Sequence, residues 1–382
     1  HQSFCTKVLY PHSECRRCLT VCPTNAIQFE DRTLKISSNC MGCEFCIPSC
    51  PNEVFSIITD NQENLKEKNK QVRVYCSKLL QEETGISRPL PSSIIPCLGS
   101  ISVHFIINWF IERESPLEVV IGSCPDCSMK DGRTYFEKRE SDITTIFSYL
   151  NIDIRPVVIR VAREEDIQNA KQFYMAFNRG KDEATALSRR DFILKFRSPI
   201  LFTQRDVGKA AKQRKDRGPN APDATEQLGS LVKLFKKYKG YVSSGEVIPG
   251  FSEIEIDKTC TGCGACANLC PTGALRLKQF QSDAELAWTL TRCTQCELCA
   301  AVCTKNAVRF IPVCDSKAIM SETQRAVKHL YRHTCPECRR EYISNRPEAS
   351  CVHCHKEART MDDVSRMIYG QGLQGDSFDE HR

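Results

Sequence analysis

Two periodicities alternate along residues 72–180. Short runs rich in β-branched residues, Val72 to Tyr75, Ile94-Ile95, Leu117 to Ile121 and Pro156 to Val161, are separated by longer helical patterns at Ile101 to Glu114, Thr134 to Leu150 and Glu164 to Asn178. That alternation predicts a parallel sheet with right-handed crossovers. Elsewhere apolar runs are short and polar joints interrupt them. One joint is Asp60-Asn61-Gln62-Glu63-Asn64 leading into Lys66-Glu67-Lys68. The other, at residues 207–227, contains Lys212-Gln213-Arg214-Lys215-Asp216-Arg217-Gly218-Pro219 and reads as a flexible or partner-ordered linker. The 382 residues should therefore form several small domains and no single large core. The best apolar run, Ile101 to Ile111, contains His104 and Asn108 and falls short of the roughly 18 to 20 residues of a membrane span. The arginine pair in Ser188-Arg189-Arg190-Asp191-Phe192 has no long apolar stretch behind it, so it reads as a basic helix start and not as an export signal.

Composition changes this picture through its 25 cysteines. Eight lie within residues 5–50, four within 76–127, eight within 260–303 and four within 335–354, which leaves only Cys314. Most belong to Cys-x2-Cys groups, a spacing that suits metal ligation better than disulfides. Dense thiolates also fit a reducing compartment, so a cytoplasmic location is expected. The formal charge of +6 treats each cysteine as neutral. Six four-thiolate sites carrying about −2 each would bring the loaded protein to roughly −6, which weakens a nucleic-acid reading of the basic linker.

The third block reads Cys260-x2-Cys263-x2-Cys266-x3-Cys270-Pro271, then Cys293-x2-Cys296-x2-Cys299-x3-Cys303, with Thr304 where the motif has proline. The first has a complete Cys40-x2-Cys43-x2-Cys46-x3-Cys50-Pro51, but its partner begins at Cys15-x2-Cys18-x3-Cys22-Pro23. The outer position of that partner falls to His12 or to Cys5, and Cys5 is favoured because four thiolates are the usual [4Fe-4S] shell. Zinc sites do not need the third interleaved cysteine. The two blocks resemble each other, as an internal duplication would produce. Both resemble dicluster ferredoxins and polyferredoxin subunits, over residues 4–59 and 252–312. The resemblance implies a β-α-β pseudo-repeat and four [4Fe-4S] clusters: Cys5, Cys15, Cys18 and Cys50; Cys22, Cys40, Cys43 and Cys46; Cys260, Cys263, Cys266 and Cys303; Cys270, Cys293, Cys296 and Cys299.

In the α/β region, three predicted strands end at Cys76, Cys97 and Cys124, and Cys127 follows. Carboxyl ends of parallel strands are where ligands sit, so these thiols should converge at one sheet edge. Their spacing names no metal. The segments Val74-Tyr75-Cys76-Ser77, Pro96-Cys97-Leu98-Gly99 and Val120-Ile121-Gly122-Ser123-Cys124, with Arg155 to Val161, look like the hydrogenase iron-sulfur subunit family, which includes the delta subunit of methyl-viologen-reducing hydrogenase. That resemblance implies a [2Fe-2S] cluster on Cys76, Cys97, Cys124 and Cys127; zinc, or a redox dithiol of Cys124 with Cys127, are the alternatives. Near the C-terminus, Cys335-x2-Cys338 and Cys351-x2-Cys354 have zinc-ribbon spacing, with rubredoxin-type iron as the alternative metal. His333, His353 and His355 stand close by, but four cysteines already close that shell.

The expected architecture is an α+β multidomain chain: a dicluster ferredoxin module at 1–60, a parallel α/β domain at 72–180, a linker and helical segment at 181–250, a second dicluster module at 251–315 and a zinc-ribbon-like segment at 325–382. No G-x-G-x-x-G turn follows a predicted strand of a β-α-β unit and no catalytic triad spacing is present, so flavin or nicotinamide would have to sit on a partner. The expected role is a non-catalytic electron-transfer subunit of a redox complex containing a flavin- or metal-bearing catalytic subunit. The partners named by this reading are a hydrogenase, a formate dehydrogenase, a heterodisulfide-reductase-like flavoprotein or another anaerobic reductase. Two rivals stay open: a nucleic-acid-associated iron-sulfur or zinc protein, and an enzyme with chemistry at the central cluster.

Overall fold

In the computed structural model the described residues are 1–56, 73–80, 90–91, 93–182, 225–239, 247–312, 316–345, 351 and 354. The joint at 60–68, Ser188 to Phe192, residues 207–224 of the linker, Cys314, His353, His355 and residues 355–382 lie outside them.

The chain opens with a 3-10 turn at Gln2–Phe4, then the one-turn helices α1 (Thr6–Leu9) and α2 (Arg17–Thr20). Strands β1 (Ile27–Glu30) and β2 (Thr33–Ile36) follow as an antiparallel hairpin, and helix α3 (Cys46–Ser49) closes the module. The hairpin turn is Asp31-Arg32, both left-handed at φ 47 and 59, as a two-residue loop matched to strand twist requires.

Strands β3 (Arg73–Cys76), β4 (Ile94–Ile95), β5 (Leu117–Ile121) and β6 (Val157–Val161) form an all-parallel sheet in the order β4-β3-β5-β6. Helices α4 (Val103–Arg113), α5 (Gly132–Tyr149) and α6 (Glu164–Asp182) connect or follow them. In α4 the residues at helical spacing, Val103, Ile106, Ile107 and Phe110, are the buried ones. Ser102 caps the helix by accepting the Phe105 N–H at 3.1 Å, and Glu114 ends it in the left-handed region.

Helix α7 (Glu226–Tyr238) buries Leu228, Leu231, Val232, Leu234 and Phe235. Its first amides, from Glu226 and Gln227, donate to the Glu53 carboxylate of the first module at 3.0 and 2.9 Å, so a distant acid serves the positive end of this helix.

The second module contains β7 (Glu253–Ile256), α8 (Ala265–Leu269), β8 (Leu275–Gln279), β9 (Asp283–Thr289), α9 (Leu298–Ala301) and β10 (Val308–Ile311). Strand β10 pairs with β7 in antiparallel register, an outer pair for which the described residues of the first module have no counterpart. Helix α10 (Ser316–Ser321) leads to β11 (Gln324–Thr334) and β12 (Glu341–Ser344). These strands extend the β8-β9 hairpin into one antiparallel sheet, β12-β11-β9-β8. The C-terminal cysteine segment is thus grafted onto the second module and is not an independent unit.

One hydrophobic cluster joins these pieces, from Phe45 of the first module through Phe110, Phe147 and Phe235 to Leu290 and Ile319 beside the second, while each module and the other face of the parallel sheet have clusters of their own. The α/β domain separates the two modules along the chain, yet the modules touch directly in space. Thr294 Oγ1 and Asn52 Oδ1 are 2.5 Å apart, and Arg17 Nη2 donates to the Gln295 carbonyl at 3.1 Å. Among the described residues, no helix is long and apolar enough to cross a membrane.

Candidate metal centres

Twenty-four of the cysteines are unpaired in disulfides and fall into six groups of four. Three groups line open pockets. Cys5, Cys15, Cys18 and Cys50 line one, Cys270, Cys293, Cys296 and Cys299 a second, and Cys76, Cys97, Cys124 and Cys127 a third. In the fourth, burial and the nearby Cys43, Cys40 and Cys22 push the Cys46 thiol up to about 12. In the fifth, burial and the nearby Cys260, Cys263 and Cys303 do the same to Cys266. The sixth is the tightest: the sulfurs of Cys335, Cys338, Cys351 and Cys354 all lie within 4.8 Å of one another.

Backbone geometry explains how three sulfurs of one motif converge. Left-handed residues stand on both sides of the middle cysteine in three motifs: Gly42 and Glu44 around Cys43, Gly262 and Gly264 around Cys263, Gln295 and Glu297 around Cys296. The chain curls around a centre instead of running past it. In Cys15-x2-Cys18 the linking residues Arg16 and Arg17 do not adopt this conformation, and helix α2 begins there instead. Cys5 lines that pocket, and helix α1 takes up the spacing between Cys5 and Cys15. His12 is exposed, with its ring 5.4 Å from Tyr10, and does not line it.

After each module's fourth cysteines, a second left-handed position recurs at Asn25, Glu53, Gly273 and Asn306. The turn aims backbone amides at sulfur: Ala26 N–H to Cys22 and Ala307 N–H to Cys303, both at 3.3 Å. Such N–H···S bonds stabilise negative charge on the thiolate and tune whatever it binds. Burial otherwise dominates. It pushes Cys18 and Cys97 up to about 12 and holds Cys293 and Cys299 well above the ordinary thiol range. These groups stay protonated at neutral pH until a cation displaces the protons, so loading is coupled to proton release.

The central group lies where β3, β4 and β5 end, with Cys76 and Cys97 buried and Cys124 and Cys127 half-buried. Lys78 and Arg133 also line its pocket. The loop after Cys97 is pinned by the half-buried Arg139, which donates to the carbonyls of Ile101 and, at 3.0 Å, of Gly99. In the C-terminal group the Cys351 N–H donates to Cys335 Sγ at 3.3 Å, and amides of Cys338 and Cys351 pull the Cys335 thiol down to about 6. His333 faces Tyr342, ring centroids 5.3 Å apart, and is not among the four clustered groups.

Sequence spacing brought out the cysteines but not the residues that join the groups. Phe45 touches Gly99 and Gly132, and Gly132 touches Cys97 Sγ, so one ring separates the first module from the central group. Cys296 lines the pocket of Cys5, Cys15, Cys18 and Cys50. Gly262, in the Cys260 loop, packs on Ile343 and Ser344 of β12. The signal available for one of these joints was a departure from a repeat: Cys22 and Cys270 are each followed by Pro-Thr, Cys50 by Pro-Asn.

Comparison with known proteins divides along the same lines. Residues 259–307 match the 4Fe-4S dicluster domain family, and residues 11–61 match the LdpA Fe-S cluster-binding domain family. No curated protein and no solved structure matches the chain. Neither family match reaches the central domain, so its hydrogenase-like reading has no support from them. The chain is a mixed α/β protein that carries two iron-sulfur cluster-binding domains, with a cysteine cluster near its C-terminus.

Proposed function

We propose that the protein is an iron-sulfur electron-transfer subunit that relays low-potential electrons between partners in a cytoplasmic redox complex. The observation that carries this reading is the order of the cysteine groups, each sharing a wall or an electrostatic contact with the next. The central group meets the Cys22, Cys40, Cys43 and Cys46 group across Phe45 and Gly132. Cys46 of that group acts on Cys18 of the next. Cys296 then borders the Cys5 pocket, and Cys266 acts on Cys299. Five groups therefore stand in single file.

The donor sets fit the groups proposed for them. Four thiolates per pocket suit one [4Fe-4S] cluster on each of the four ferredoxin-type sets and a [2Fe-2S] cluster on the central set. At the C-terminus, tetrahedral Zn–S bonds of about 2.3 Å require sulfurs about 3.8 Å apart. Cys335 with Cys354 and Cys338 with Cys351 stand at 3.9 and 3.7 Å. Zinc there is structural, clamping β11 and β12 over the Cys260 loop. An iron-sulfur cluster supplies reversible one-electron uptake when bound. The chain's own contribution is to hold it, limit access of water and set its potential through N–H···S bonds. A partner subunit bearing flavin or metal supplies the substrate chemistry.

Anaerobically purified protein should contain about eighteen iron atoms and about one zinc. Cys97→Ser should remove a [2Fe-2S]-like signal, spare the four-iron signals and sharply reduce electron transfer to the native partner. Protein reconstituted anaerobically that still lacks four-iron signals would overturn the reading.

A further inference from the structure

The seam between the two modules is built from a residue that departs from the internal repeat. After Cys22 and Cys270, the threonines Thr24 and Thr272 place Oγ1 3.8 Å from the sulfur of their own module's cysteine. After Cys50 the same position holds Asn52, whose longer side chain turns outward across the module boundary. Asn52 is buried, and its Nδ2 donates to the Phe4 carbonyl at 2.9 Å, next to Cys5. Its Oδ1 accepts from Thr294 Oγ1 at 2.5 Å, in the residue that separates Cys293 from Gln295. Thr294 stands two residues before Cys296, so the bridge ends in the loop that carries that cysteine. Cys296 in turn lines the pocket of Cys5, Cys15, Cys18 and Cys50. Arg17, between Cys15 and Cys18, fastens the rim by donating to the Gln295 carbonyl at 3.1 Å, with Glu297 at 3.9 Å.

We infer that Asn52 is the positioning residue that joins the two cysteine modules into one continuous electron path, bridging the Cys5-Cys15-Cys18-Cys50 site to the Cys270-Cys293-Cys296-Cys299 site. This rests on the electron-transfer reading above. The step is a single-electron exchange: one site is oxidised as the other is reduced, and no proton or ligand moves. Through Thr294, Asn52 holds the loop that carries Cys296 against the neighbouring pocket, which fixes the two sites side by side.

The test uses the full-length, iron-loaded protein and electron paramagnetic resonance during a redox titration. In the wild type, partial reduction should give signals broadened by interaction between the two modules. Asn52→Leu should keep the iron content and weaken that broadening. Thr294→Val, which removes the same bridge from the other side, should also weaken the broadening, and it decides the matter if Asn52→Leu fails to load iron. Thr24→Val, inside one module, should leave the broadening between modules intact. A wild-type protein without four-iron signals overturns the electron-transfer reading and this inference with it. Intact signals with no interaction between modules, or with broadening unchanged by both substitutions, overturn the inference alone.

Discussion

Phe45 and Gly132 meet across the boundary between the first module and the α/β domain with no space between them: a Cβ on Gly132 would lie 2.7 Å from Phe45 Cζ and 2.5 Å from Cys97 Sγ. The ring is fully buried, so it has no free direction in which to retreat. Gly132→Ala should therefore destabilise the protein by about 1–3 kcal/mol through overpacking and displace Cys97. Thermal unfolding together with iron analysis checks both effects, with iron lost from the central site first. Gly229, inside α7, is the control, because a Cβ there meets nothing within 4 Å. Gly229→Ala should stabilise by roughly 0.5–1 kcal/mol and leave iron unchanged.

Cys5 and His12 separate by substitution. Cys5→Ala should cost the first module one four-iron centre or leave a three-iron form, visible as a change in spectrum and in iron content. His12→Ala should leave both unchanged, because its exposed ring stands edge-on to Tyr10 and does not line the pocket.

Asp166 supplies an acid-sensitive element in the α/β domain. Its carboxylate, 0% exposed, accepts two bonds from Arg160 at 2.5 Å and the Arg163 N–H at 2.8 Å. The Arg160 bonds hold its pKa down at about 2, below the ordinary 3.8. A depressed carboxylate stabilises the fold fully above the ordinary value, and that stability is lost as pH falls from near 4 toward 2. The amount is on the order of 2 kcal/mol. Asp166→Asn should therefore be less stable than wild type at pH 7, and the gap should narrow below pH 4. Urea titrations of the two proteins at matched pH read that gap, and cluster loss in acid is common to both.

Cys338→Ser, or a strong zinc chelator, should release about one zinc and loosen β11 and β12 while sparing four-iron signals at first. Since Gly262 packs on Ser344, the Cys260 site should then become more sensitive to oxygen than the other three. The order in which four-iron signals decay in air is the measurement.

Local chemistry was legible in the sequence wherever one short segment carries it. The four parallel strands, the helices between them and the cysteine triplets follow from periodicity and spacing within a dozen residues, and the structure draws them together as groups. What escaped is what depends on distant segments. Nothing near Glu53 signals that it will cap α7, and nothing near Phe45 signals that Gly99 and Gly132 will make room for its ring. The C-terminal strands looked like a separate ribbon because their own spacing is complete, yet their backbone hydrogen bonds are satisfied by β9. The left-handed residues of the cysteine loops are a middle case, since Gly42 and Gly262 advertise that conformation but Glu44, Gln295 and Glu297 do not.

The bond between Thr294 and Asn52 spans 242 positions of the chain. During synthesis at about 5–20 residues per second, the first module waits roughly 12–50 seconds before its counterpart leaves the ribosome. Throughout that interval the Cys5 pocket lacks the wall that Cys296 provides. Iron inserted early would face solvent and oxidant on that side, whereas iron inserted after the halves meet would enter a chamber already closed. The time at which a cell delivers its iron to this chain relative to translation therefore bears directly on the yield of intact protein.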